Sequence, residues 1–218
     1  QDLIRYDLDI LCVQETKRTK SEERIDKFTH KDTPHSATSI MLAPKCQHYG
    51  LRFIIHSRWA PRVHSYKSVS NRIATLELHL SSTSKAMIIN IYAPHMGRDE
   101  TETTAFYANL ETVYKNATQT CEVVLVSGDF NAKIGQQNIQ DDRFMGKHSR
   151  GYRNSNGREL AGFCKKSKLL LANTLFPHKA HHQTTWKGQR KVDGSTVPIY
   201  NQIDYICIPR RLRPGLSN

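Results

Sequence analysis

Several protein classes are argued against by what this sequence lacks. Its five cysteines, Cys12, Cys46, Cys121, Cys164 and Cys207, are odd in number and none form a CxxC pair. That spacing argues against a disulfide framework and against a thiolate zinc site. Cys12 and Cys207 lie in apolar runs and read as small core residues, which suits a reducing compartment. No apolar run approaches the ~18 residues a membrane helix requires, and the opening Gln1-Asp2-Leu3 has no secretory character. The expected setting is therefore intracellular, nuclear or cytoplasmic, without secretion or a membrane. There the sequon Asn116-Ala117-Thr118 would be silent. Acid is also scarce: 20 Asp and Glu stand against 32 Lys and Arg, for a net charge of +12. Such an excess points to a polyanionic partner, most often nucleic acid, with an ordinary basic domain as the bland alternative. No internal repeat or linker interrupts the 218 residues, so a single domain over 1–218 is expected.

The elements follow from hydrophobic period. Leu8–Val13 is a short apolar run and reads as a buried strand. The charged stretch from Lys17 to Lys31 reads as a loop. Strands are expected over 39–43, 51–56, 63–67, 72–80 and 86–92, with 72–80 alternating as a half-exposed antiparallel strand does. Ser81 to Ser84 forms a hairpin-like turn. Asp99 caps a helix with Glu102 three residues on, and Phe106, Leu110, Val113 and Tyr114 share one face. A strand over 122–126 follows, then a polar loop over 133–156, a helix over 157–167 and strands over 168–173 and 202–208. Mixed hairpins and crossovers favour an α/β sandwich over a purely parallel fold.

Polar residues at strand ends carry the chemical signal. Glu15 follows the first strand, at the mouth where α/β proteins place ligands, and Mg²⁺ takes one or two carboxylates with waters and phosphate. A solvated strand-end Glu is the alternative. Asp129 and Asn131 flank Phe130 after Gly128, so the pair faces one side and could orient water and a phosphoryl oxygen; an Asx-turn would serve as well. Tyr92 precedes Ala93-Pro94 and could donate to phosphate, or simply pack. Asp204 lies inside the apolar Ile203-Asp204-Tyr205-Ile206, where a lone acid needs a partner, such as a histidine it orients or a structural hydrogen bond. Trp186 in Thr184-Thr185-Trp186 is either core or a wedge against a nucleotide. His178, His181 and His182 lack a nearby thiolate or carboxylate and read as a solvated cationic loop. Lys17, Arg18, Lys187, Arg190 and Lys191 could touch phosphate backbone, although a charge run is more often merely solvated.

In order, Gln14-Glu15, Asn90-Ile91-Tyr92-Ala93-Pro94, Gly128-Asp129-Phe130-Asn131-Ala132, Thr185-Trp186 and Ile203-Asp204-Tyr205 resemble the endonuclease/exonuclease/phosphatase superfamily over nearly the whole chain. Asn156-Gly157-Arg158-Glu159-Leu160, Asn173 to His178 and Asn201 to Ile206 look most like the apurinic-type endonucleases of RTE-group non-LTR (LINE-type) retrotransposons, or a captured cellular copy. The resemblance implies a DNase I-like, four-layer α/β sandwich of two mixed sheets flanked by helices. It implies a Mg²⁺- or Mn²⁺-dependent DNA endonuclease, nicking target sites and fused to a reverse transcriptase in the intact protein. In those roles Glu15 binds the metal, and Asn131 and Asp129 position water and phosphate, with Asp129 supplying the leaving-group proton. Tyr92 hydrogen-bonds the transition state, Thr185 holds a phosphate oxygen and Asp204 orients the catalytic histidine. Two departures matter: the family's Asn in a strand before Gln-Glu has no counterpart, and no Ser-Asp-His occurs. The expectation is a partial copy, lacking edge strands at both ends and nicking DNA weakly. A catalytically silent nucleic-acid-binding remnant is the alternative, followed by another phosphodiesterase of the superfamily acting on inositol phosphates or sphingolipids.

Overall fold

The computed structural model describes residues 2–16, 24–29, 36–41, 50–97, 99–138 and 143–217. They resolve into two compact units, Gln1–Tyr92 with Thr112–Gly128, and Ala93–Glu111 with Asp129–Asn218. Two of the three boundaries fall just after Tyr92 and Gly128, inside two of the strand-end motifs, and the third follows Glu111.

The first unit opens with the short helix α1 (Asp2–Arg5) and continues through β1 (Ile10–Val13), β2 (Arg24–Thr29), β3 (Ser36–Met41) and β4 (Arg52–His56). These strands form a sheet in the order β1-β4-β3-β2, antiparallel throughout. β5 (Val63–Ser70), β6 (Ile73–His79), β7 (Lys85–Tyr92) and β8 (Val123–Asp129) lie side by side in that order. β5, β6 and β7 form an antiparallel meander. The β6–β7 turn closes as the serine run implies, with the Leu80 N–H donating to Ser84 O at 2.9 Å. β8 returns beside β7 in the same direction, entered where the Glu122 N–H meets Lys85 O at 2.9 Å. The second sheet is therefore mixed and the first antiparallel.

Apolar side chains from the two strand sets make one core. Ile40, Phe53 and Ile55 from the first sheet pack with Ala74, Leu76 and Leu78 from the second, joined by Leu51 and Tyr92. This is sheet-on-sheet packing of the inward faces. β6 departs from expectation. Ile73, Ala74, Thr75 and Leu76 are all buried, so its strict alternation does not mark an exposed face. The burial of both faces is confined to 73–76; beyond it the alternation returns, with Leu78 buried and Glu77 and His79 half-buried.

α2 (Glu100–Thr120) starts where the sequence places it, with the Asp99 carboxylate accepting from the Thr101 N–H at 3.0 Å. Thr103, Phe106, Tyr107, Leu110, Tyr114 and Ala117 form its buried stripe, and Val113 is only half-covered. In the second unit, α3 (Ser155–Lys166) begins two residues before its expected start. Asn154 caps it, its side-chain oxygen accepting from the Gly157 N–H at 2.8 Å. β9 (Leu169–Leu171) is shorter than expected and passes into a 3-10 turn over 172–174. It pairs antiparallel with β12 (Asp204–Pro209).

Two strand regions run against the sequence reading. β2 lies inside the stretch read as a charged loop. β10 (Trp186–Val192) and β11 (Ser195–Asn201) form an antiparallel hairpin where no strands were expected. β10 is almost entirely exposed and carries no apolar alternation, and β11 offers only a short one, with Val197, Ile199 and Asn201 half-buried around Pro198. The turn does carry a signal. Asp193 and Gly194 take φ of 47° and 78°, as a type I′ Asp-Gly turn requires. The expected loop over 133–156 contains no helix or strand among its described residues until α3 begins at Ser155, yet Ile134, Phe144 and Met145 are buried. Arg153 ties it together, donating to Ile134 O at 2.8 Å with its guanidinium 5.5 Å from the Phe144 ring centre.

Candidate active site

In the first unit, two motifs meet that lie 77 residues apart in sequence: the Tyr92 hydroxyl donates to Glu15 Oε1. Glu15 sits exposed beyond the end of β1 in a left-handed backbone conformation, φ 52°. Such a φ is uncommon outside glycine and costs energy that the surroundings must offset. Tyr92 is 3 % exposed. Arg72 fixes it from behind, with Nη1 donating to Tyr92 O at 3.2 Å and the guanidinium 5.6 Å from the ring centre.

Asn90, two residues earlier on the same strand, is fully buried. Its Oδ1 accepts from Gln14 Nε2 at 2.6 Å, and its Nδ2 donates to Val13 O and Arg52 O at 3.2 and 3.1 Å. These bonds satisfy the strand-end carbonyls of β1 and β4 that the sheet ladder leaves over. Asn90 thus sets where β1 ends and where Glu15 begins. In the sequence Asn90 stands out only as part of a motif. The signal that could have singled it out was an amide inside the otherwise apolar Met87 to Tyr92.

Gly128 closes β8 at φ 146°, and a Cβ there would lie 2.1 Å from Ile91 O. The close approach of β7 and β8 excludes every larger residue.

The second unit holds the other group. Ala93 N–H donates to Asp129 O at 2.8 Å. Phe130 points into the core, fully buried with its ring 6.1 Å from Tyr205. Asn131 takes φ 47°, so the pleat no longer sets its direction. The Asp129 carboxylate accepts from the Asn131 N–H at 2.7 Å, and Asn131 Nδ2 donates to Ala93 O at 2.9 Å. The Asx-turn that competes with a site as the explanation of these residues is therefore present, with the Asp129 carboxylate on the Asn131 backbone and the Asn131 amide on Ala93 O. Asn156, from the first turn of α3, is 5 % exposed and donates to Pro94 O at 2.9 Å and Asn131 O at 3.0 Å. It locks two strand-end loops, a role that the sequence did not reveal.

Thr185 and Asp204 form a second pair in this unit. Thr185 Oγ1 accepts from the Ile203 and Asp204 N–H groups at 3.0 and 3.3 Å, and its hydroxyl hydrogen-bonds the Asp204 carboxyl. Burial raises the Asp204 pKa above the usual carboxylate value, with the Thr185 bond opposing. Among the described residues, the partner of Asp204 is thus a threonine and not a histidine. Trp186 is 42 % exposed at the start of the hairpin, so it is not core. His178, His181 and His182 are exposed, as a solvated loop requires. Lys17 and Arg18 lie outside the described residues.

Among the described residues no group of three or more His, Cys, Asp or Glu could hold a metal ion. That excludes an all-protein cage there but suits Mg²⁺, which needs one or two carboxylates and fills the rest with water and phosphate. Glu15, a hard oxygen donor at an open strand mouth, fits such an ion.

The architecture is a DNase I-like α/β fold built on an antiparallel and a mixed sheet, the fold of apurinic-type endonucleases and related phosphatases. The catalytic domain of Xenopus laevis APE2 superposes with a TM-score of 0.61 at 16 % identity, over 97 % of this chain and 77 % of that one. The AP endonuclease LMAP from Leishmania major gives 0.61 at 14 %, over 98 % and 73 %. The 3′ phosphatase NExo from Neisseria, bound to product DNA hairpin, gives 0.61 at 13 %, over 100 % and 83 %. By sequence, the chain is 27 % identical over its full 218 residues to craniofacial development protein 2 of Tragulus javanicus and of Bos taurus. It spans about a third of the length of those curated relatives. No protein-family profile matches it.

Proposed function

We propose that this chain is a Mg²⁺-dependent DNA phosphodiesterase of the endonuclease type, derived from an RTE-like non-LTR retrotransposon and carried in an intracellular protein. The observation that carries the reading is the Tyr92–Glu15 hydrogen bond, because core packing has no need of a buried phenol aimed at an exposed acid. A copy captured by a cellular protein accords with the likeness to craniofacial development protein 2. Fusion to a reverse transcriptase belongs to the same reading of its origin.

Glu15 would hold the cation, which offsets charge on the scissile phosphate when bound. Tyr92 fixes the Glu15 carboxylate in one rotamer, as outer-shell partners of metal ligands do. Asn131 positions the attacking water, and Asp129 delivers a proton to the leaving oxygen. Asn156 keeps the Asn131 turn closed. Thr185 clamps the backbone at Ile203 and Asp204 and offers its hydroxyl to a phosphate oxygen, while Trp186 and the cations Lys17 and Arg18 meet the DNA.

The test is nicking of supercoiled plasmid by this chain with Mg²⁺ and with EDTA, beside Glu15→Gln. Nicking that needs Mg²⁺ and falls at least about a hundredfold in the variant supports the reading. Nicking that survives EDTA or Glu15→Gln overturns it.

A second reading has its own support. The net charge of +12 suits a nucleic-acid-binding remnant that has lost its chemistry. Folded chain that binds DNA with a steep salt dependence and never nicks it would establish that reading instead.

A further inference from the structure

Outside the strand-end groups, two imidazoles on β5 and β6 face one another. His79 Nε2 and His64 Nδ1 lie 3.0 Å apart, with ring centres at 4.6 Å and ring planes at 76°. Both residues belong to the first unit. A β-bulge makes the meeting possible. Val63 pairs with Leu78 and Ser65 with Glu77, so His64 is the extra residue on β5. A bulge re-aims the side chain it carries, and this one brings His64 to His79, on the face of β6 opposite the buried Leu78. His64 is exposed and His79 half-buried, so core packing does not account for the pair.

A bond between two imidazoles needs one nitrogen protonated and one bare. Glu77 decides which. Its Oε1 lies 3.8 Å from His64 Nε2. Lys85 Nζ donates to that carboxylate at 2.8 Å and the Ser65 hydroxyl at 3.4 Å, which holds it in place. The Lys85 bond keeps the Glu77 pKa below the usual carboxylate value, so the group is an anion near neutral pH. An anion there draws the His64 proton to Nε2 and leaves Nδ1 bare, as the outer-shell carboxylate of a metal-bound histidine does. His79 then carries its proton on Nε2. Moving that proton to Nδ1 through water bares a second lone pair at the same point, with no net change of charge.

The separation of the two nitrogens selects a geometry. Metal–imidazole bonds of ~2.0 Å put two nitrogens ~2.8 Å apart at a right angle and ~3.3 Å apart at the tetrahedral angle. The observed 3.0 Å lies nearer the right angle, which tetragonal sites of Cu²⁺ and Ni²⁺ use. Among the described residues no group of three His, Cys, Asp or Glu could hold a metal, so water completes the coordination. We propose that His64 Nδ1 and His79 Nε2 are the two protein ligands of a tetragonal site for a divalent transition-metal ion, Cu²⁺ or Ni²⁺, with Glu77 orienting His64 and the ion tying β5 to β6.

Titration of this chain with NiCl₂ near neutral pH tests the site. Wild type should bind an ion that His64→Gln and His79→Gln each weaken roughly a hundredfold, because the second bond of a chelate is intramolecular. His64 is exposed, so its variant should fold. Glu77→Gln should weaken binding roughly tenfold, and affinity should fall as the imidazoles protonate. At a hundredfold excess over Kd the ion should raise Tm by roughly 5 °C in wild type and not in the histidine variants. Electron paramagnetic resonance with Cu²⁺ should show two coupled nitrogens, and one fewer in either variant. His181→Gln with His182→Gln, on an exposed loop of the other unit, should leave the site intact. Ni²⁺ binding that survives both His64→Gln and His79→Gln, or that is lost with His181 and His182, overturns the proposal. Zn²⁺ held more tightly than Ni²⁺ overturns its tetragonal form. The outcome is independent of plasmid nicking, since no strand-end residue belongs to the site.

Discussion

The two units build their candidate groups by different means. In the first, side chains hold side chains across 77 and 76 residues of sequence, Tyr92 holding Glu15 and Asn90 holding Gln14, and Asn90 takes the Val13 and Arg52 carbonyls as well. In the second, side chains hold backbone: Asp129 takes the Asn131 N–H, Asn156 takes two carbonyls as acceptors, and Thr185 takes the N–H groups of Ile203 and Asp204. The acids differ accordingly, Glu15 being exposed and Asp204 half-buried with a raised pKa. A network of side chains places an acid precisely but fails when one member is removed. A turn held by side chains on backbone groups depends on those few side chains and places its acid only as well as the loop is closed.

The sharpest way to break this contrast is at Asn90. Asn90→Leu keeps the volume but strands two part-buried carbonyls and the Gln14 amide, so it should cost about 3 kcal/mol and lower Tm by roughly 6–10 °C in a chain of this size. Thermal melts check it, and an unchanged Tm would mean that the β1 end does not depend on this amide. Next comes Tyr92→Phe. It removes one hydroxyl and should reduce Mg²⁺-dependent nicking roughly tenfold to a hundredfold while leaving Tm nearly unchanged. A loss of stability in place of activity would recast Tyr92 as a packing residue.

Asp204→Asn tests the second unit. The Asp204 pKa is raised in the folded chain, so its stabilising contribution is complete below the usual carboxylate value. That contribution disappears as pH rises through the raised one. The Asn variant should therefore melt higher than wild type near neutral pH, and the gap should close as pH falls below the usual carboxylate range. Melts from pH 3 to 7 give the answer, and a gap independent of pH would remove the titration argument. The smallest effect is expected at Lys17 and Arg18. Alanine at either should flatten the slope of log K against log salt by about one for every phosphate that the side chain had neutralised, with no change in Tm.

Much of this was legible in sequence because the informative residues sit where periodicity ends. The apolar runs before Glu15, Tyr92 and Asp129 announced strands, and Asp99 announced its helix. Three things were hidden, each for a physical reason. β10 is solvated on both faces and β11 alternates only briefly at Val197 and Ile199, so the Asp193-Gly194 turn speaks most clearly for the hairpin. The roles of Asn90 and Asn156 rest on partners distant in sequence, which no local pattern encodes. β6 alternates in sequence yet is buried on both faces over 73–76, because the layers packed on a sheet and not composition decide what covers its faces.

The covered thiols have a practical consequence. Burial pushes the Cys12 thiol up to about 12, with a Ser127 hydrogen bond opposing, and pushes Cys207, beside Cys164, well above the ordinary thiol value. Cys12 belongs to the first unit, and Cys164 and Cys207 to the second. A thiol-reactive reagent needs thiolate and access, so neither set should label until its own unit opens. Timed alkylation followed by peptide mass spectrometry would therefore act as two independent clocks in one polypeptide, reporting which half breathes first.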